Sequence, residues 1–341
     1  MHPSVKAVTV GISSSLLIGT FATSTSPSVP DPAIHPAPNL QFLQAPSSKA
    51  ADGMAPFSLS FNGILTSYSI FSTFVLPGEE LSLLAYVPGA KPLAVQAGGG
   101  ALVSSEGEPN AWRWRAPAVP GLYPLDFSDG EGGSLRLNAF VLKPYDGSDQ
   151  LNGYRIGRYQ SQPLRDDPAY LPPRGFVELT PELVDVKLSP NFTLGQFPCK
   201  QQSTFPKYLV LQETLLSKLE GLLAEARGRG LDVRTFTVMS GYRTPYYNAR
   251  IGNETTYSRH TYGDAADIFV DENRDGRMDD LNGNGRVDVR DAEVLLSIAE
   301  ELEREADPGL VGGLGLYGPR RHRGPFVHVD ARGYQARWAK R

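Results

Sequence analysis

Cysteine is nearly missing. Cys199 is the only one in 341 residues, so no internal disulfide can form and a bridge-stapled scaffold is excluded. Flanked by Phe197, Pro198 and Lys200, Cys199 reads better as a small buried residue than as a thiol nucleophile. An excess of positive charge is missing too. The 33 Lys and Arg against 37 Asp and Glu leave a formal net charge of −4. No basic stripe interleaved with aromatics appears, so nucleic acid is not an expected partner. Long apolar runs are confined to Ala7–Ala22, behind Lys6. That stretch is too short and too serine-rich for a membrane span, but it suits a signal-peptide core with small residues at 22–24 for cleavage. Residues 1–24 are therefore expected to export the protein to the periplasm or cell envelope, or to tether it to the membrane if retained. No cysteine follows the run, which argues against a lipoprotein.

What is present divides into two parts, as the length suggests. Residues 25–56 are rich in Pro, Ser and Ala without an apolar period and read as a flexible linker. From Phe57 short alternating segments begin: Leu81, Leu83 and Ala85; Trp112 and Trp114; Leu135, Leu137 and Ala139. Turn clusters such as PGEE, AGGG and SDGEGG separate them, which predicts a small antiparallel, immunoglobulin-like β-sandwich over 57–145. Residues 146–341 then form the second domain. Lys207–Arg229 carries Leu211, Leu215, Leu219, Leu222 and Ala226 on one helical face, and Gly228 and Gly230 mark its end. Val233–Met239 alternates as a strand. This pattern predicts an α+β domain, an antiparallel sheet with helices on one side.

The chemistry concentrates in Ser240–Asp271. It holds His260, one of five histidines, and Asp267 inside the apolar run Ala265, Ala266, Ile268, Phe269, Val270. A carboxylate in such a run is expected to be buried, and a buried carboxylate needs hydrogen bonds, a partner charge or a metal. Further on, GPFVHVDARG places His328 and Asp330 two apart in a strand-like segment, on one face. His260, Asp267 and His328 make a three-ligand N/N/O set suited to a Zn2+ ion with an open fourth position.

Ser258-x-His260-x-x-Gly263-x-Ala265-x-Asp267, the later His328-x-Asp330 and the upstream SGYR resemble the zinc D-Ala-D-Ala metallopeptidase superfamily. This group includes lysostaphin-like enzymes and the hedgehog domain, and the likeness is nearest to its murein endopeptidase and D-alanyl-D-alanine carboxypeptidase branch. The resemblance covers roughly Leu151 to the C-terminus. It implies a zinc peptidase acting on peptidoglycan peptides, with Arg243 of SGYR facing the site as a cation for a carboxylate or oxyanion. One departure stands out. The dipeptidase branch has a glutamate three residues before its last histidine ligand, and here that position is Pro325. Asp330 and His322 are the remaining candidates for a base, Asp330 alternatively orienting His328 and His322 alternatively lying in a basic surface loop. Because hedgehog-type members keep such a site without ordinary peptidase work, a non-catalytic, calcium-stabilised cell-wall-binding module that retains the zinc site is the competing expectation.

A second metal pattern lies in residues 271–291. Asp280, Asn282, Asn284, Gly285, Asp288 and Asp291 follow the spacing of a calcium loop, with Arg286 offering its carbonyl. Asp271, Asn273, Asp275, Gly276 and Asp279 begin a second, overlapping one. Ca2+ is expected here, stiffening the segment beside the zinc site, with a solvated acidic insertion as the alternative. A monomer is expected.

Overall fold

The computed structural model describes residues 53–253, 255–305 and 308–340. The expected export segment and nearly all of the expected linker lie outside them. Among the described residues no helix is long and apolar enough to cross a membrane.

The linker gives way to structure earlier than expected, because a strand already begins at Met54. The N-terminal part consists of β1 (Met54–Phe61), β2 (Ile64–Tyr68), β3 (Ile70–Val75), β4 (Glu80–Tyr86), β5 (Ala94–Ala97), β6 (Ala101–Ser104), β7 (Ala111–Arg115), β8 (Gly121–Ser128) and β9 (Ser134–Val141). They form a five-stranded sheet, β2-β1-β4-β7-β6, and a four-stranded one, β3-β9-β8-β5. The predicted alternation holds where it was clearest: Leu81, Leu83, Trp114, Leu135, Leu137 and Ala139 are buried. Rings from the two sheets meet, Trp112 with Phe127 at 5.5 Å and Phe61 with Phe71 at 6.1 Å. The pairing is not wholly antiparallel, since β3 runs parallel to β9.

Short strands follow: β10 (Lys143–Pro144), β11 (Gln150–Leu151), β12 (Tyr154–Arg155), β13 (Gly175–Leu179), β14 (Lys187–Ser189), β15 (Phe192–Thr193) and β16 (Lys207–Leu209). The last corrects the predicted helix. Residues 207–209 pair with β13, and the helix α1 starts only at Glu213 and runs to Gly228. Once Lys207–Leu209 is held in a ladder it cannot also wind. The predicted end is right, with Gly230 at φ +83, a left-handed geometry that glycine takes without strain.

Beyond α1 come β17 (Thr237–Ser240), α2 (Pro245–Arg250), β18 (Ala265–Phe269), α3 (Val289–Glu305), β19 (Gly313–Tyr317), β20 (Phe326–Asp330) and β21 (Ala336–Lys340). The predicted strand from Val233 begins four residues late, because the Arg227 side chain takes the carbonyls of Val233 and Arg234. The sheet order is β17-β18-β20-β19-β21, antiparallel except for the parallel β19–β21 pair. Helix α3 packs on β19 and β20, and α1 packs on α3. Leu314, Leu316, Val327, Val329, Ala266 and Ile268 supply the apolar layer of the sheet. By strand alternation, Asp267, His328 and Tyr317 share the other face. Several antiparallel sheets with few helices make the chain α+β.

The two parts are joined by buried polar contacts. Ser72 Oγ donates to Leu188 O at 2.9 Å, and Asn138 Nδ2 donates to Lys187 O at 2.8 Å. At the start of α1, Glu213 Oε1 accepts from Thr73 Oγ1 at 2.9 Å and from the Phe74 N–H at 3.2 Å. Removing a hydrogen-bonded partner in such a place costs about 1–3 kcal/mol. Glu213→Ala is therefore expected to lower unfolding stability by about that amount, measured by urea denaturation, while an exposed control such as Glu106→Ala leaves the midpoint in place.

Candidate metal centre

Two loops and two strands bring the site together. The loop carrying His260 is anchored by its neighbour Arg259, whose guanidinium grips the buried Asp264 (Nε–Oδ1 2.9 Å) and donates to Ala169 O at 2.9 Å. The same guanidinium lies over the rings of Tyr170 and Tyr262, at 4.4 and 4.9 Å. Gly263, at φ +80, passes so close to Val210 that a Cβ would sit 2.5 Å from its carbonyl carbon, so only glycine fits there. The loop is zipped to SGYR by two bonds, Arg243 N to His260 O at 3.0 Å and His260 Nδ1 to Gly241 O at 2.7 Å. In the sheet, Asp267 on β18 pairs directly with His328 on β20.

The result is a triangle of donor atoms. His260 Nε2 lies 3.1 Å from His328 Nδ1, His328 Nδ1 lies 3.0 Å from Asp267 Oδ1, and His260 Nε2 lies 3.3 Å from the same oxygen. Three ligands at ordinary zinc distances around a tetrahedral ion stand about 3.3 Å apart, so the donor set fits such an ion. Among the described residues this is the only group of three or more His, Cys, Asp or Glu whose donor atoms gather within 4.8 Å. The outer nitrogen of each imidazole is also held. His260 Nδ1–H donates to Gly241 O, and His328 Nε2–H donates to Asp330 Oδ2 at 3.0 Å, so both inner nitrogens present lone pairs to the centre.

Electrostatics follow from burial. Burial alone would raise the Asp267 carboxyl, but His260, His328 and Arg243 hold it well below the usual carboxylate range. Burial pushes the His260 ring down despite Asp267. For His328 burial also opposes the charge, yet the Asp267 and Asp330 carboxylates on either side of the ring pull it above its ordinary value.

The residues expected to do the chemistry fare differently. Arg243 bonds Ser240 Oγ through Nε at 2.8 Å and Asp267 Oδ2 through Nη2 at 2.5 Å. It therefore steadies a ligand of the triangle, and among the described residues its Nη1 has no partner. Asp330 cannot be the base. It is fully buried, and besides His328 it accepts from Arg332 Nε at 2.8 Å and from the Gly313 N–H at 2.7 Å. Burial would raise it, but His328 and Arg332 hold it far below its ordinary range. It therefore orients His328. His322 is corrected as well: it is exposed on a turn closed by the Arg320–Arg323 bridge and shares no hydrogen bond or ion pair with the three ligands. Arg323, its neighbour, lies over Phe326 instead. Cys199 is buried as expected, which pushes its thiol up.

Among the described residues the carboxylates of the expected calcium loops form no group of three with donor atoms within 4.8 Å of one another, so calcium finds no support here. Asp271 Oδ1 and Oδ2 accept from the N–H groups of Asp275 and Gly276, and Asp280 does the same for Asn284 and Gly285. Asn273, Asp275, Asn282, Asn284 and Asp288 cap the amide two positions on. Asp279 accepts from Glu272 N, and Asp291, fully buried, accepts from Leu281, Asn282 and Asp288. These side chains work as backbone caps.

Two residues of the site escaped the sequence. Tyr317 lies on the ligand face, within electrostatic reach of Asp267 and Arg243, and burial raises its phenol. Its oxygen accepts from Trp338 Nε1 at 2.9 Å, and that indole lies 5.0 Å from the His328 ring. Lys200 is open to solvent on one side and crowded on the other, where burial pushes its ammonium down while Asp267 pulls it up. Neither stands in a motif, and no sequence signal marks them.

The comparison with protein families now bears on this geometry. A family model described as Peptidase M15 matches residues 190–286. That segment, within the C-terminal half, is therefore similar to the M15 peptidases. It spans His260 and Asp267 and stops short of His328, which the sheet supplies. Among curated proteins and among solved structures, nothing matches the chain.

Since a partner of a ligating histidine is typically worth 10–100-fold in metal affinity, Asp330→Asn is expected to weaken zinc binding by about that factor. Competition with a chromogenic chelator measures it, and an unchanged affinity would refute the orienting role.

Proposed function

We propose that this chain is a zinc-dependent peptidase of the bacterial envelope that hydrolyses peptidoglycan stem or cross-link peptides. The observation that carries this is the triangle of His260, Asp267 and His328, with each imidazole fixed from behind by an oxygen. The family match of the segment carrying two of the three supports the peptidase class. The apolar run at Ala7–Ala22 supports export. The N-terminal sheets, read as an immunoglobulin-like module, would serve as a spacer holding the catalytic part toward the wall.

His260 Nε2, Asp267 Oδ1 and His328 Nδ1 would hold the zinc. When bound, the ion supplies Lewis acidity, polarising a scissile carbonyl and making water acidic enough to act as a nucleophile near neutral pH. The chain's own groups do the rest. Arg243 keeps Asp267 ionised and aimed, and its free Nη1 can meet negative charge on the substrate. Tyr317, kept protonated by burial and accepting from Trp338, has its own O–H left to donate to a developing oxyanion. Asp330 holds the His328 tautomer.

A second reading has an observation in its favour. With Pro325 in the position of the family's glutamate, Asp330 saturated and His322 facing solvent, no free carboxylate or imidazole is placed as a base among the described residues. A non-catalytic wall-binding module that retains zinc would look the same in these respects.

About one zinc per chain is expected by elemental analysis, falling to near zero in His260→Ala and in His328→Ala. Purified sacculi are expected to release peptides in the presence of the protein and not after chelation, with mass spectrometry reading the bond cut. Tyr317→Phe should reduce turnover about 10²–10³-fold, the usual effect of losing an oxyanion donor, with zinc content unchanged. Zinc retained but no release from sacculi under any condition would favour the binding module.

A further inference from the structure

A cleft of about 620 Å³ opens between the β11–β12 hairpin, residues 200–206 and α2. It is unusual in its charge. Arg155, Lys200 and Arg250 line it, and no lining residue is Asp or Glu, in a chain whose net charge is −4. Among the described residues none of the three cations has an ion-pair partner. Arg158, three positions beyond Arg155, does have one in Asp149 at 2.9 Å.

Two of these cations are forced together. Tyr246 Oη accepts from Arg155 Nη1 at 3.0 Å and from Arg250 Nη1 at 3.1 Å. The Arg155 guanidinium also lies 5.2 Å from the centre of the Tyr246 ring. Two bonds to one oxygen keep the donor nitrogens no more than about 6 Å apart, where like charges repel unless an anion answers them. No anion of the chain does so among the described residues. The two bonds, from Arg250 and then Arg155, draw the Tyr246 phenol below its ordinary value.

The cleft is also tied to the metal centre through the chain. Its wall α2 is capped by Thr244 Oγ1, which accepts from the Tyr247 N–H at 3.1 Å, and Thr244 directly follows Arg243. Lys200 lines the cleft and is within electrostatic reach of Asp267.

We propose that this cleft is a substrate subsite for an acidic peptide segment. Arg155 and Arg250, fixed on Tyr246, clamp one carboxylate, and Lys200 attracts negative charge on the approach to the metal centre. This rests on the peptidase reading above and gives it a selectivity: peptides with a free internal carboxylate are preferred over the same peptides amidated. A guanidinium pair suits a carboxylate because each presents N–H donors in a planar fork. The amide and hydroxyl side chains of Gln201, Gln202 and Ser203 in the same cleft suit a peptide backbone.

The test uses two fluorescent L-alanyl-γ-D-glutamyl-L-lysyl-D-alanyl-D-alanine peptides, one with the glutamyl α-carboxylate free and one with it amidated. The full-length wild type and an Arg155→Gln/Arg250→Gln variant are compared, with thermal melting to verify folding and Arg155→Lys/Arg250→Lys as the charge-preserving control. The double Gln variant is expected to raise KM for the acidic peptide about tenfold with kcat unchanged, to leave the amidated peptide unaffected, and to be partly rescued by the Lys control. Binding of the same pair to His260→Ala, followed by anisotropy, reads the cleft without hydrolysis. If wild type cleaves neither peptide while His260→Ala still prefers the acidic one, the peptidase reading fails and the subsite stands. Equal affinity of His260→Ala for both peptides, or equal loss for both in the Gln variant, overturns the subsite. Tighter binding of inorganic polyphosphate than of the acidic peptide overturns it too.

Discussion

A carboxylate buried in the middle of a sheet sets the terms for the C-terminal half. Asp267 lies on β18 between β17 and β20, with its side chain shut off from bulk water. Left unpaired there, a carboxylate would cost several kcal/mol. Arg243 meets part of this demand at Oδ2, the lone-pair nitrogens of His260 and His328 gather at Oδ1 where a cation would meet the rest, and each must then be held by something else. Gly241 and Asp330 hold the imidazoles, Ser240 holds the arginine, and the Arg259–Asp264 pair holds the loop that delivers His260. The shape of a metal centre emerges from satisfying one buried charge.

The scaffold behind the centre repeats this logic. Lys218, fully buried on α1, donates to Glu303 on α3 and to the backbone carbonyl of Asp330, at 2.6 Å for the latter. Arg337 on β21 binds Glu303 from the other side. One network thus ties two helices and an edge strand to the end of the strand that carries His328. Breaking one partner of such a buried pair is far more damaging than never having had it, so the helical layer and the chemistry on the opposite face are mechanically linked. The N-terminal sheets join this block through Glu213, at the start of the same helix.

Much of the centre was legible because its residues are short-range exceptions to their surroundings. An aspartate in an apolar run, a histidine and aspartate two apart in a strand and a glycine at a fixed offset each break a local pattern for a stated physical reason. The alternation of Leu81, Leu83, Leu135 and Leu137 was legible for the same cause, since period two follows from the pleat. The calcium expectation rested on the same kind of evidence and found no support. Asp and Asn at alternate positions suit a cation loop, but they also suit a chain of amide caps, and spacing cannot separate the two. The helix predicted from Lys207 was cut short by a ladder partner thirty residues away in sequence, which no local period reveals.

The sequence by itself picked out the three donor residues, the buried alternation of Leu81, Leu83, Leu135 and Leu137, and the end of α1 at its glycines. These follow from burial, periodicity and backbone freedom, which are local properties. Only the tertiary structure decided the roles. It turned Asp330 from a candidate base into the partner of His328, by surrounding it with Arg332 and the Gly313 amide. It left His322 in solvent, brought Tyr317 and Lys200 toward Asp267, and set Arg155 and Arg250 on one phenol oxygen. A residue type says which proton or charge a side chain can carry. Which neighbour has already claimed it is a property of the packed chain.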